Sequence, residues 1–273
     1  MKKTAAALAL AGTVLFTGIG LGTGLGVKAD TQEKIARVWL IGGQSNAHGI
    51  SKASEIEAPE PDERVKIYRP QSDDFAPVTV GYGYDATRFG PEVGMAQKLI
   101  ETMPDEEHFI LKYAWGDTDL YADWRSPSMG GEIGIRYQEF VRTVKDGLSA
   151  IAELGYTADI CGMAWMQGER DAMLKVRADA YAENLVSLIC DFRNEFQAEF
   201  PFCIGKINED FNLMPEHRTV IRAQQAVANA MERVYFLDTS DLAVMPSDPW
   251  HYDGESMLKL GNKFAMVLTR IKL

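Results

Sequence analysis

Residues 36–46 read ARVWLIGGQSN, and the fold turns on where this run stops. From Ala36 to Ile41 the chain is apolar except for Arg37. A short apolar run of this kind suits a strand buried on both faces of a sheet. Gly42 and Gly43 end it, and Gln44, Ser45 and Asn46 follow at once. Either this is a polar turn capping a strand, or it is a nucleophile held at the strand's carboxyl end. One serine does not decide between them.

Outward from that run, apolar stretches of strand length alternate with helical periodicity. VKIY, HFILKYA, ADICGMAWM, PFCIGKI and VYFLDT read as strands. GPEVGMAQKLIETM reads as a helix, with Val93, Ala96, Leu99 and Ile100 on one face. A long helix spans about 135–154 and ends at Gly155, and RADAYAENLVSLICDFRNEF, EHRTVIRAQQAVANAME and ESMLKLGNKFAMVLTRI complete the set. Buried-type strands separated by helices predict a single α/β domain over residues 30–273. Its mainly parallel sheet should have helices on both faces, an α/β/α sandwich. Sites in such sheets form at the carboxyl ends of the strands. Four strands are followed by polar sets, GGQSN, WGDTD, QGERD and the loop SDPWH, and all can meet on one rim.

Residues 1–29 differ from the rest. A basic start (MKK), an apolar stretch and small residues at Val27 and Ala29 have the pattern of a signal peptide cut after Ala29. The expectation is export, secreted or periplasmic, with no stable membrane insertion afterwards; the alternative is an N-terminal anchor. Loss of Lys2, Lys3 and Lys28 moves the formal charge from −11 to −14, with 25 basic against 39 acidic residues. So acidic a chain has no electrostatic footprint for nucleic acid. Cys161 and Cys203 lie in apolar runs and read as core, although Cys190 and Cys203 are a conceivable pair. No metal-ligand motif occurs, and no metal or cofactor is expected.

Serine becomes a nucleophile only when a base takes its proton. His48 follows Ser45 too closely to reach back, and His108 and His217 begin a strand and a helix in ordinary surface contexts. His251 sits in a C-terminal loop three residues past Asp248, which can orient the imidazole and stabilise its charged form. On its own the DxxH spacing is equally an incidental loop. Candidate oxyanion donors by loop position are the N–H of Ser45, the N–H near Gly116 and the side-chain amide of Gln167.

The blocks GQSN, GPEVGMA, KYAWGDT, WMQGERDA and DPWHYDGES occur in order. Together they resemble the SGNH-type hydrolases, more narrowly carbohydrate esterase family 6 and the sialate O-acetylesterase-like group, over about Val38 to Ala265. The resemblance implies a flavodoxin-like three-layer fold and cofactor-free acetyl-ester hydrolysis. By the same resemblance Ser45 matches the nucleophile, His251 the base, Asp248 the acid, Gln167 the side-chain oxyanion donor and Gly116 a glycine of the oxyanion loop. Two positions depart from the pattern: Asp117 replaces a glycine and Arg170 a serine. A carboxylate at residue 117 opposes an oxyanion unless it points away. Glu169 either braces the site or shares the acid role.

The expected activity is removal of O-acetyl groups from an oligo- or polysaccharide by a Ser-His-Asp triad, working only while His251 is neutral. Tyr82, Tyr84, Trp115, Trp124 and Trp250 are available to stack on sugar faces. A sialate substrate would call for a cation such as Arg125 or Arg170, whereas the acidic surface suits a neutral polysaccharide such as acetylated xylan. The alternatives are a sialate O-acetylesterase, a lipase- or thioesterase-like hydrolase of the same fold, and a non-catalytic carbohydrate-binding protein. Oligomeric state is not legible in the sequence.

Overall fold

The computed structural model describes residues 33–209 and 214–270; the expected leader over residues 1–29 lies outside them. The strands are β1 (Lys34–Gly43), β2 (Ser51–Lys52), β3 (Val65–Arg69), β4 (Asp74–Pro77), β5 (Arg88–Phe89), β6 (Glu107–Ala114), β7 (Tyr156–Met166), β8 (Phe202–Gly205), β9 (Val234–Leu237), β10 (Val244–Met245) and β11 (Asp248–Tyr252). The helices are α1 (Ser45–His48), α2 (Pro91–Thr102), α3 (Ile135–Glu153), α4 (Lys175–Phe196), α5 (His217–Ala230) and α6 (Gly254–Arg270).

Seven strands form one sheet in the order β4-β3-β6-β1-β7-β8-β9. All neighbours run parallel except the edge pair β3–β4. Pro77 is tolerated in β4 because an edge strand has one side without a ladder. The ARVWLI run lies in the middle, paired with β6 on one side and β7 on the other. It is apolar because both its faces are covered: α3 packs over β1, β6 and β7, and α6 over β7, β8 and β9, with α2 against α6. The expected α/β sandwich is thus observed. From β1 the chain builds the β3–β6 side first and the β7–β9 side afterwards. The carboxyl end of β1 is therefore a topological switch point, where a crevice opens.

Register brings the polar sets to that crevice. Gly43, the last residue of β1, pairs with Ala114 of β6 and Met166 of β7, so the loops after all three strands leave at one level. Gly43 has φ +136°, and a Cβ there would sit 2.1 Å from the Met166 carbonyl oxygen. Only glycine lets β1 turn there.

Several expectations require correction. DPWHY is a strand rather than a loop, paired antiparallel with β10. His108 is fully buried, accepting from Trp39 Nε1 on its Nδ1 (3.2 Å) and facing the Met103 carbonyl with Nε2 (3.0 Å). Trp124 belongs to the core, edge-on to Trp165 at 5.0 Å, with its N–H on Thr118 Oγ1 (2.9 Å). Cys161 and Cys203 are buried as expected, but Cys190 is exposed, and among the described residues no disulfide joins any of the three.

Candidate active site

Ser45 begins α1, with only Gln44 between it and the end of β1. It lines a cleft of about 570 Å³ together with Gln44, His48, Trp115, Gly116, Asp117, Glu169, Arg170, Trp250 and His251. That size suits a small ligand such as one or two sugar units. Ser45, Gly116 and His251, candidates drawn from three distant stretches, therefore meet in one place.

The histidine is oriented from behind. His251 Nδ1 lies 2.6 Å from Asp248 Oδ2, both on β11 and both partly buried. A carboxylate on Nδ1 fixes the tautomer and leaves Nε2 as the nitrogen able to take a proton. Asp248 Oδ1 also accepts the Trp250 N–H (3.0 Å), which fixes the carboxylate in turn.

The residues flanking Ser45 act as clamps. Asn46 Nδ2 donates to Glu169 Oε1 and to the Trp250 carbonyl, each at 3.1 Å, and Asn46 Oδ1 accepts from Tyr252 N (3.3 Å). These bonds grip β11 on either side of His251. Gln44 Oε1 accepts from the N–H groups of Gly168 and Arg170, both at 3.3 Å. One side chain before the serine thus holds the loop after β7, and one after it holds the histidine strand. The GQSN block is a junction as well as a carrier of Ser45.

Gln167 does not stand where the resemblance put it. Its side chain is fully buried and lies outside the cleft lining. Nε2 is committed to Asp171 Oδ2 (2.6 Å) and the Thr118 carbonyl (3.1 Å), with Gln44 Oε1 a third acceptor at 3.3 Å. An amide nitrogen has two hydrogens, so none is left for an oxyanion. Asn46 is spent in the same way on its two acceptors. By contrast, among the described residues the N–H groups of Ser45 and Gly116 meet no acceptor.

Asp117 adopts a left-handed backbone (φ 56°), which explains a glycine preference at that position. Its side chain is 77% exposed and lies 3.4 Å from the Arg170 guanidinium. The two departures from the family pattern therefore pair with each other, and the carboxylate is drawn toward the rim. Gly116 has ordinary space: a Cβ there would meet Ser45 Cβ at 3.7 Å.

Glu169 lines the cleft but is almost wholly buried, and its Oε2 has no partner. Desolvation pushes its carboxyl up, against the weaker opposing pull of Asn46 and of the nearby His251. Burial of this kind works against the charged form of the carboxyl.

One wall of the cleft is aromatic. His48 stacks on Trp115 (5.9 Å, 23°), Tyr84 meets His48 edge-on (5.7 Å), and the Arg136 guanidinium lies 4.2 Å from the centre of the Trp115 ring. Burial, aided by the Lys112 charge, lowers the His48 imidazole to about 4, so it is neutral at ordinary pH. Lys112 itself is sealed beneath the wall, donating to Glu92 Oε2 (2.6 Å) and the Tyr82 carbonyl (2.9 Å). Arg125 is turned away, with its guanidinium on the Tyr121 carbonyl.

The family model described as "Carbohydrate esterase, sialic acid-specific acetylesterase" matches residues 35–270. No curated protein sequence matches the chain. Among solved structures, a protein from Arabidopsis thaliana superposes with a TM-score of 0.69 at 18% identity, covering 86% of this chain and 98% of that one. The protein NanS gives 0.65 at 15% identity, covering 88% and 98%. A carbohydrate acetylesterase from Xanthomonas citri gives 0.61 at 17% identity, covering 86% of this chain and 56% of that longer one.

Proposed function

We propose that this chain, which belongs to the carbohydrate esterase, sialic acid-specific acetylesterase family and so is a carboxylic ester hydrolase, removes O-acetyl groups from carbohydrate with Ser45, His251 and Asp248 as its triad. The observation that carries the triad is the 2.6 Å contact between His251 Nδ1 and Asp248 Oδ2 on a strand facing the same cleft as Ser45.

In this reading Ser45 Oγ attacks the acetyl carbon while His251 Nε2 takes the hydroxyl proton. The carbonyl π pair moves to oxygen, where the N–H groups of Ser45 and Gly116 receive it. Collapse breaks the bond to the sugar oxygen, which leaves with the proton held by His251. Water, deprotonated by the same imidazole, then frees acetate and restores Ser45. Asp248 stays ionised and stabilises the imidazolium.

A neutral sugar is the favoured substrate. Among the described residues Arg170 is the guanidinium in the cleft lining, Arg136 lies against the Trp115 ring, and Asp117 already balances Arg170 at 3.4 Å. A sialate carboxylate would have to break or share that pair, whereas Trp115, Tyr84 and Trp250 suit an uncharged sugar face. The sialate reading is supported by Arg170, which is in place to serve it, and by the description of the family model itself. Acetate release measured side by side on acetylated xylan and O-acetylated sialic acid separates the two. Ser45→Ala is the control, and wild-type hydrolysis by that variant would refute the triad. The leader pattern supports action outside the cytoplasm; a mature protein beginning at Asp30 on N-terminal sequencing is the expected result.

A further inference from the structure

Two backbone N–H groups leave the oxyanion without a side-chain donor once Gln167 is committed elsewhere, yet the cleft contains another amide. Gln44 Oε1 accepts from the N–H groups of Gly168 and Arg170. Backbone N–H groups only donate, so the amide's orientation is fixed: oxygen toward the 168–170 loop, NH2 on the opposite side. Gln44 is otherwise immobile, with its N–H on the Met166 carbonyl (2.9 Å) and its carbonyl taken by Ala47 N and His48 N (2.9 and 2.7 Å). Among the described residues its Nε2 meets no acceptor, and it is not one of the sealed, unpaired polar atoms. Gln44 lines the cleft beside Ser45 and Gly116. A preorganised amide with both hydrogens unspent, next to the nucleophile, is what a developing oxyanion needs.

We propose that Gln44 is a catalytic residue, its Nε2–H group completing the oxyanion hole formed by the N–H groups of Ser45 and Gly116. The inference rests on Ser45 being the nucleophile. It also accounts for an amide immediately before the serine: the oxygen is consumed in holding the 168–170 loop, and the nitrogen is thereby aimed at the substrate.

The test is Gln44→Glu, which keeps an oxygen for Gly168 and Arg170 and replaces the donor nitrogen. Losing such a donor costs about 10²–10³ in kcat, and that loss is expected on an aryl acetate with KM nearly unchanged. A trifluoromethyl ketone, which Ser45 converts to a bound oxyanion, should lose affinity in step with kcat/KM. A purely structural role would not produce that parallel. Gln44→Met repeats the measurement without added charge should the glutamate variant misfold. If Ser45→Ala is inactive while both Gln44 variants keep kcat within about tenfold of wild type, the Gln44 role is overturned and the triad stands. If Ser45→Ala is active, the triad itself falls.

Discussion

Replacing Asp171 with asparagine should remove a pH dependence that the fold carries. Asp171 is fully buried four residues after Gln167, and it ties the 120–121 segment to the stretch that follows β7. Oδ2 accepts from Leu120 N (2.9 Å) and Gln167 Nε2 (2.6 Å), and Oδ1 from Tyr121 N (3.3 Å). Burial nevertheless dominates those bonds and raises its carboxyl from 3.8 to about 7. A raised carboxyl keeps its proton in the folded state after the unfolded chain has released it. Its contribution therefore falls as pH rises through that window. Each pH unit corresponds to about 1.4 kcal/mol, so the total lost between pH 4 and 7 is about 4 kcal/mol. His48 and His108, both lowered by burial, act in the opposite sense: they refuse protons that the unfolded chain binds, so they favour the fold as pH rises toward 6.5. The wild-type curve mixes these effects, and the difference between wild type and Asp171→Asn isolates one. The asparagine oxygen can keep the two short bonds, and its NH2 then faces the Tyr121 N–H, at a cost of about 1–3 kcal/mol. Urea unfolding at intervals from pH 4 to 8 should find the variant less stable at pH 4, and level with or above wild type by pH 7.5. A difference that stays constant with pH would refute the reasoning, because Asp171 would then be ionised in the folded protein.

Other predictions concern the site and its support. Asp248→Asn should lower kcat about 10⁴-fold through loss of imidazole orientation, while Glu169→Gln, which can keep the Asn46 contact, should cost less than about tenfold. Equal losses on an aryl acetate would show Glu169 sharing the acid role. Lys112→Met should destabilise by about 3–5 kcal/mol by stranding the Glu92 charge, with most of the loss recovered by adding Glu92→Met; denaturant midpoints of both variants check this. Trp115→Ala should raise KM for an acetylated oligosaccharide about fivefold, equivalent to about 1 kcal/mol of ring contact, with little change on a small aryl acetate.

Much of the sheet was legible because burial on both faces leaves an apolar run, as in ARVWLI and HFILKYA, and helices leave a different period. The site was legible only as far as residue types at strand ends can show it. Ser45, Gly116, Asp248 and His251, which the fold gathers at one cleft, stand in the sequence as breaks after a strand or in a C-terminal block. What escaped depends on pairings across long sequence separations. The commitment of the Gln167 amide rests on Asp171 and the Thr118 carbonyl, and no local pattern announces either. The same holds for Gln44: its unspent nitrogen is defined only by two N–H groups more than a hundred residues away. His108 looked superficial because a strand start is usually exposed, but its partner Trp39 lies on the neighbouring β1. The mutual pairing of Asp117 and Arg170 is likewise invisible in the sequence, where the two lie more than fifty residues apart as separate departures.

The distribution of tryptophans gives the protein a built-in optical reporter. Of the five, Trp39, Trp124 and Trp165 are sealed in the core, Trp115 is 47% exposed and Trp250 half-buried, and these last two line the cleft. A water-borne collisional quencher therefore reaches indole emission only where substrate would sit. Trp115 is further singled out by the guanidinium over its ring and the imidazole stacked on it. A sugar settling on that wall should shield the quenchable fraction and leave the core emission unchanged. Occupancy of the cleft can thus be followed by light, without turnover and without a label.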